Sequence, residues 1–292
     1  MRFDRLLDRA APVLLLGVTL VWGLTFVVVQ RAVAHFGAIE FLAIRFALAS
    51  LVLAPFFLRG TRRHEVRVGL GLGLLLALGF LFQTWGLRAT TVTQSGFVTG
   101  LFVIFAPLFA GVLFGVGLRP RNYAAIGLSA IGLFLLLGGP GFAWNIGDTL
   151  TLACALCFGL HIALLSHFSP SCRTGPLTFT QIASQTLWLV LLLPAGAPLG
   201  NPFTGSLVGA LLLTGLVASA GAFYIQTRVQ KRLSAARTAV ILTAEPLFAA
   251  LFGYLLNHET PTAIELAGGV LIFLAMLVSE VGLGGWPQSR PA

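Results

Sequence analysis

One acidic side chain stands inside a long apolar stretch and is the first candidate for chemistry. Glu245 follows Arg237 by eight residues within the apolar segment 237–256, so a helix here places its carboxyl group in membrane hydrocarbon. Ionisable groups at that depth are costly and rarely lack a purpose. Two interpretations stay open. Glu245 carries a proton or contacts a substrate, or it is a neutral or paired residue that hydrogen-bonds backbone groups freed by Pro246.

Two further ionisable groups lie inside apolar segments. Arg45 follows Glu40 by five residues, which suggests an ion pair near the membrane surface with the arginine stem along the apolar face. The alternative is that the guanidinium holds a substrate carboxylate in a bidentate contact. His161 lies in the middle of another segment, where hydrogen-bonded packing is the favoured interpretation and a proton relay the alternative.

Neutral polar and aromatic side chains share helix faces in three segments. They are Trp22 with Thr25, Phe80 with Gln83, and Gln94 with Ser95 and Thr99. Such groups could line a cavity for a small amphipathic molecule. Lipid-facing rings and hydroxyl bonds between helices explain the same residues equally well.

Other kinds of chemistry find little support. Cys154 and Cys157 form a C-x-x-C with no second pair, which indicates helix packing rather than a metal site. His258-Glu259 is not followed by a second histidine, and G-x-S-x-G and Walker motifs are absent. We therefore expect no enzyme, no cofactor and no metal, and a gradient rather than ATP as the driving force.

Composition indicates that the polar residues are positioned by a membrane bundle. The chain of 292 residues is 57% hydrophobic and 9% charged, which no soluble domain of this length could bury. A helix needs roughly 20 apolar residues to cross a bilayer. Ten segments qualify: 11–30, 38–58, 66–85, 93–116, 121–138, 148–166, 177–196, 206–226, 237–256 and 262–281. The prediction is an all-α polytopic membrane protein with ten transmembrane helices.

The basic residues mark the cytoplasmic side. With the N-terminus inside, fifteen Arg and Lys residues fall on the inner side, and only Arg31 and Arg88 fall in outer loops. This strong positive-inside bias predicts that both termini are cytoplasmic. The net charge of +9 therefore reflects topology at a lipid surface rather than nucleic-acid binding. Arginine outnumbers lysine seventeen to one, which fits a bacterial plasma (inner) membrane protein from a GC-rich genome.

The second half of the chain repeats the first. Pro107 within Ala-Pro-Leu-Phe-Ala and Pro246 within Glu-Pro-Leu-Phe-Ala lie 139 residues apart. Five spans per half make the copies enter the membrane from opposite sides, so two inverted five-helix repeats are predicted at 1–140 and 141–281. The Gly- and Pro-rich residues 282–292 are expected to form a disordered cytoplasmic tail. Both prolines are candidate hinges, and a static kink is the equally weighted alternative.

The sequence resembles the EamA-type members of the drug/metabolite transporter superfamily over essentially its whole length. The matching features are Trp22-Gly23, Arg45-Phe46-Ala47-Leu48-Ala49, Gly147-Asp148, the run Glu245-Pro246-Leu247-Phe248-Ala249-Ala250 with Glu259, and Gly268-Gly269. The family pattern also has a glutamate thirteen residues after the first proline. Pro120 stands there, so any role of that glutamate is absent. Length and layout are also similar to bacterial aromatic amino-acid exporters of the YddG type.

The resemblance implies a cavity between the repeats. It places the neutral polar and aromatic residues of the first, third and fourth segments near that cavity and adds His161, Tyr224 and Glu245. The expected function is secondary export of small amphipathic metabolites, amino acids first and aromatic ones favoured, by alternating access. An uncoupled channel-like facilitator or a multidrug exporter remains the alternative. The expected partners are a small-molecule substrate and the lipid bilayer. Small-xxx-small glycine pairs favour packing within a monomer over homodimerisation.

Overall fold

The computed structural model describes residues 2–118, 120–136, 144–195, 204–260 and 262–280. These residues are all-helical. The α-helices are α1 (Arg2–Val33), α2 (Ala38–Phe57), α3 (Arg63–Gly86), α4 (Val92–Gly100), α5 (Phe102–Phe114), α6 (Pro120–Leu136), α7 (Ile146–Phe168), α8 (Thr174–Leu192), α9 (Gly205–Leu212), α10 (Ala222–Gln230), α11 (Ala235–Leu242), α12 (Ala244–Asn257) and α13 (Ala263–Glu280).

These helices form ten spans in the described residues, as the sequence predicts. Three spans consist of two helices each: α4 with α5, α9 with α10, and α11 with α12. Seven spans are long and apolar enough to cross a membrane by themselves. Helices α6 and α13 contain shorter apolar cores, and α8 is the more polar tenth span. The predicted tail at 282–292 lies outside the described residues.

Several helix ends differ from the apolar segments. Helix α1 begins at Arg2 rather than at residue 11, and α8 begins at Thr174 rather than at residue 177. The first two turns of α8 contain buried Thr174, Thr178 and Thr180, which pack between helices although they are polar. Hydropathy locates the apolar part of a span, whereas a helix begins at its first hydrogen-bonded turn.

The fourth and ninth spans are each interrupted, but not at their prolines. Helices α11 and α12 meet at Thr243, three residues before Pro246, whose ring excludes the normal hydrogen bond to Leu242. Helices α4 and α5 meet at Leu101, and α5 then continues through Pro107. Gly100 permits that earlier break to lie against the other repeat, because a Cβ there would be 2.8 Å from Pro246 Cγ. A hinge role for either proline stays a prediction.

The eighth span is wound more loosely in its middle. Residues Leu213–Gly221 form a π-helical stretch between α9 and α10. Widened turns of this kind shift side chains and carbonyls relative to an α-helix, and they recur at functional sites. The Ala218 carbonyl in this stretch accepts a hydrogen bond of 2.8 Å from Trp22 Nε1 on α1.

The two repeats pack into each other through glycines. Helix α1 lies along α12, and α7 lies along α5, so each repeat contributes one helix to each contact. A Cβ at Gly23 would lie 2.5 Å from Phe248 Cβ, and one at Gly159 would lie 2.6 Å from Phe105 Cβ. Only glycine permits backbones to approach this closely. The core of the bundle therefore belongs to both repeats.

An ion pair joins the repeats at the cytoplasmic end. Arg173 precedes α8, and its Nε and Nη2 donate hydrogen bonds of 2.8 and 2.7 Å to the carboxylate of Glu65 in α3. The same carboxylate accepts from the backbone N–H of Arg62 and Arg173, at 2.8 and 3.1 Å. Hydrogen bonding to Glu65 raises the pKa of Arg173. This contact ties the first turns of α3 and α8 together.

A glutamate caps a helix of the other repeat at the outer end. Glu259 follows α12, and its carboxylate accepts hydrogen bonds of 3.2 and 3.1 Å from the N–H groups of Val92 and Thr93 at the start of α4. The Thr93 hydroxyl donates to it as well. A helix N-terminus carries unpaired donors and partial positive charge, so it stabilises a carboxylate.

We expect Glu259→Gln to lower the free energy of unfolding by about 1 kcal/mol, because the amide loses one acceptor oxygen and the charge that faces the α4 N-terminus. Denaturant unfolding in detergent measures this. Glu265→Gln is the matched control, since Glu265 loses the same charge but caps only its own helix, through Thr262. Equal loss in both variants would mean that the contact between repeats adds nothing.

Candidate functional site

A small cavity lies between the two repeats at the middle of the bundle. It leaves about 30 Å³ accessible to the centre of a water molecule, which is space for one or two waters. Its lining residues come from both repeats and are Trp22, Thr25, Leu76, Phe80, Gln83, Phe102, Phe158, His161, Ile162, Phe223, Gln226, Leu242 and Glu245.

Six of the ten candidate residues meet at this cavity. They are Trp22, Thr25, Phe80, Gln83, His161 and Glu245. They lie far apart in the chain, and four different spans place them together. A seventh candidate, Thr99, is buried beside them and accepts a hydrogen bond of 3.3 Å from Gln83 Nε2.

The lining follows the internal repeat. Trp22 and Thr25 of α1 have repeat equivalents in Phe158 and His161 of α7, 136 residues later. Phe80 and Gln83 of α3 correspond to Phe223 and Gln226 of α10, 143 residues later, in the recurring pattern Phe-x-x-Gln-Thr. All eight side chains line the cavity. The approximate two-fold axis that relates the repeats therefore passes through it.

This pattern also corrects the predicted position of the aromatic residue in the eighth span. Tyr224 is 39% exposed and stacks on Phe57 at a centroid distance of 6.0 Å, away from the cavity. Its neighbour Phe223 lines the cavity instead. Consecutive helical residues point about 100° apart, so Tyr224 points away from the cavity while Phe223 lines it. The Phe-x-x-Gln-Thr recurrence is the sequence signal that identifies Phe223 and Gln226.

Aromatic rings form most of the cavity wall. The Phe80 ring packs against Phe158 and Phe223 at centroid distances of 5.1 and 6.1 Å. Trp22 packs against Phe223 at 5.3 Å, and its indole N–H is satisfied by the Ala218 carbonyl. Tilted and edge-on contacts of this kind stabilise the wall and give it an apolar surface.

The histidine in the lining is held by a chain of polar side chains. His161 Nε2 lies 3.0 Å from Gln181 Oε1 on α8, and Gln181 Nε2 donates to Thr227 Oγ1 at 2.9 Å. All three residues are buried. This geometry is typical of hydrogen-bonded packing, the interpretation that the sequence favours for His161.

Two acceptor groups face the cavity from the second repeat. Glu245 is 6% exposed and belongs to the lining. Gln226 is 2% exposed, and its Oε1 has no hydrogen-bond partner among the described residues. Buried acceptors are costly when unsatisfied, so this wall is suited to a donor-bearing ligand.

The remaining candidates of the fourth span lie nearer the outer surface. Gln94 accepts a hydrogen bond of 2.7 Å from Thr90 and lines an open outer vestibule of about 600 Å³. This outer vestibule is lined by Gln30, Ala34, Leu87, Arg88, Ala89, Thr90, Thr91, Gln94 and Asn145. Ser95 lies buried below it, and its hydroxyl is 3.4 Å from that of Thr151.

The predicted ion pair between Arg45 and Glu40 does not form. Both oxygens of the buried Glu40 lack a hydrogen-bond partner among the described residues, and Arg45 Nε donates to Ser219 Oγ at 2.9 Å instead. Helix neighbours that meet are three or four residues apart, whereas a separation of five points the two side chains to different faces. The prediction was wrong for this reason.

Metal-binding clusters of three or more His, Cys, Asp or Glu residues are not found in the described part of the chain. Cys154 is buried and Cys157 is half-buried within α7, and both are free thiols. They pack within the bundle, as the sequence indicates.

Comparison with known proteins supports a transport function. The model of the EamA-like transporter family matches residues 9–138 and again residues 145–280. An uncharacterized transporter of Archaeoglobus fulgidus is 34% identical over 263 residues, which are 89% of this chain and 82% of that protein. The uncharacterized inner membrane transporter YedA of Escherichia coli K12 is 26% identical and covers 96% of this chain, with 93% of its own length matched.

The fold also occurs among solved structures. One crystal structure superposes with a TM-score of 0.74 and covers 93% of this chain and 96% of the other, at 20% sequence identity. At that identity the match supports the arrangement of helices alone.

We expect Phe223→Ala to destabilise the protein by about 3–5 kcal/mol, because it removes a buried ring that packs on Trp22, Phe80 and His161. Tyr224→Ala is the matched control, and it should cost about 1 kcal/mol or less since this ring is partly exposed. Unfolding in detergent compares the two variants. A larger loss for Tyr224→Ala would contradict the assignment of Phe223 to the cavity wall.

Proposed function

The chain belongs to the EamA-like transporter family, as a multi-pass membrane transporter and not an enzyme, and on this premise we propose that it is a secondary exporter of small amphipathic metabolites. Amino acids are the first candidates, and aromatic ones are favoured, by analogy with the YddG-type exporters. The observation that carries this proposal is the small cavity that both repeats line, with aromatic walls and the polar residues Glu245 and Gln226.

The size of the cavity favours a carrier over a channel. Ligand pockets usually measure about 300–1,000 Å³, whereas the cavity admits about 30 Å³. A substrate can enter only if Phe80, Phe223 and their neighbours move apart. Such movement is expected of a protein that alternates between states and is not required of a continuous pore.

Unequal packing of the two repeats supports a rocking mechanism. Gly23 packs against Phe248, whose repeat equivalent is Phe109, but Gly159 packs against Phe105, one helical turn away. The contact between α1 and α12 and the equivalent contact between α7 and α5 therefore differ by one helical turn. If the copies exchange these positions, the bundle closes on the opposite side, which is the basis of alternating access in inverted repeats.

The surfaces of the bundle fit the direction and place of transport. The outer vestibule at Gln94 and Thr90 gives a leaving substrate a polar exit beside the first repeat. Similarity to YedA suggests the bacterial inner membrane as the location. We propose Glu245 as the proton-coupling or substrate-contacting group, since it is the acidic side chain in the cavity lining.

The test is counterflow of a labelled amino-acid panel, aromatic ones included, into liposomes that contain the purified protein. We expect saturable counterflow of at least one class. Accumulation driven by a pH gradient should fall to the level of protein-free liposomes in Glu245→Gln, because the amide carries no proton. Glu265→Gln, a charge loss at the start of α13, is the control and should behave as wild type.

The outcomes separate the parts of the proposal. Gradient-driven accumulation that survives in Glu245→Gln would remove the coupling role and leave the carrier. Counterflow of no amino acid by folded protein would contradict the proposed substrate class. Flux that never saturates would favour the channel-like alternative.

A further inference from the structure

We propose that Arg45 is the carboxylate-binding group of this transporter, kept behind the Phe80 ring and reached when that ring turns away. The inference rests on the proposed function and deepens it, because it names the substrate class. The ligand would be a carboxylate with an apolar body, and an α-amino acid fits best. Carboxylate binding by a bidentate guanidinium is a strong and directional contact.

The surroundings of Arg45 lack the partner that a buried guanidinium normally has. Its side chain is 1% exposed, and Nε donates to Ser219 Oγ at 2.9 Å. Nη2 is buried without a hydrogen-bond partner among the described residues, and the carboxylate of Glu40 does not pair with it. Buried charges are ordinarily paired because an uncompensated one is costly.

Two aromatic rings hold the guanidinium instead. Its Cζ lies 4.8 Å from the ring centroids of both Phe46 and Phe80. A cation over an aromatic face is attracted by the electrons of the ring, which offsets part of the desolvation cost. The rings do not use the N–H groups at the edge of the guanidinium, so Nη2 keeps its donors for a planar acceptor.

Phe80 separates this cation from the cavity. One and the same ring contacts Arg45 and belongs to the cavity lining. Phe46, the other ring on Arg45, is fully buried and does not line the cavity. The cavity cannot take a substrate without displacing Phe80, and that displacement removes the barrier between ligand and guanidinium. The displacement of Phe80 that admits a substrate to the cavity would therefore also expose the guanidinium of Arg45 to that substrate.

Acceptors for an ammonium group belong to the same site. Glu245 and Gln226 Oε1 present acceptors to the cavity, which suits an ammonium group. A ligand with a carboxylate toward Arg45 and an ammonium toward these acceptors satisfies buried groups at both ends. The apolar body would then lie against Trp22 and Phe223.

The alternative is that Arg45 serves only the fold, as a cation packed between two rings. The two interpretations predict different results for two variants, Phe80→Ala and Phe46→Ala, each of which removes one of the rings on Arg45. A purely structural cation loses one ring in Phe80→Ala and one in Phe46→Ala, with the same consequence. A substrate-binding cation gains access to the cavity only in Phe80→Ala.

The experiment measures thermal stabilisation of the purified full-length protein by phenylalanine and by phenylalaninamide at about pH 6, where the α-amines of both are protonated. In wild type the acid should stabilise more strongly, by about tenfold in apparent affinity. In Arg45→Gln this preference should vanish. Phe80→Ala should increase the preference for the acid, whereas Phe46→Ala should not increase it, because Phe46 does not line the cavity.

Three results would overturn the inference: equal stabilisation of wild type by acid and amide, an unchanged preference in folded Arg45→Gln, or equal effects of the two ring variants. Should Arg45→Gln fail to fold, the acid preference is measured in Arg45→Lys and in the two ring variants instead. Lysine keeps the charge but lacks the bidentate fork, so Arg45→Lys should weaken the preference. Binding is measured without transport. Failed counterflow would thus contradict the proposed function, whereas the absence of an acid preference in wild type would contradict the role of Arg45.

Discussion

The absence of water in the hydrocarbon core is the constraint on which the rest of this structure depends. Every backbone group at that depth needs a partner within the protein, so spans are helical and interruptions must lie against other helices. Thr243 is buried at one break, Leu101 at the other packs against the core, and the π-helical stretch Leu213–Gly221 buries one face that includes Ala218. Within the π-helical stretch, the Ala218 carbonyl accepts a hydrogen bond from the indole N–H of Trp22. This hydrogen bond joins the two repeats.

The same constraint makes each unpaired buried group informative. Trp22, His161 and Gln83 all have partners, so their polar atoms contribute to a rigid wall. Gln226 Oε1 and Arg45 Nη2 do not, although both residues are almost fully buried. Burying a polar group without a hydrogen-bond partner lowers the free energy of unfolding. Both groups belong to the proposed substrate site, where a bound ligand would satisfy them.

The cavity lining follows the two-fold symmetry of the repeats, whereas several ionisable residues do not. Aromatic and amide residues of the cavity recur in both repeats, which gives each half an equivalent contribution to one site. The ionisable groups break the symmetry: Glu245 corresponds to Ala106, and Glu259 corresponds to Pro120. Glu259 caps α4 at the outer end, whereas at the cytoplasmic end α11 is capped by its own Ser234. The two repeats are thus joined by different contacts at the two ends, the Glu259 cap at the outer end and the Glu65–Arg173 ion pair at the cytoplasmic end.

The sequence by itself determined the membrane class, the ten spans, their orientation and the internal repeat, because hydropathy, loop charge and self-similarity are local or additive properties. It also indicated six residues of the cavity lining. Only the tertiary structure decided which face each helix presents, and this excluded Tyr224, introduced Phe223 and Gln226, and separated Arg45 from Glu40. Side-chain direction changes by about 100° per residue and depends on packing against helices far away in the chain, so no local pattern encodes it.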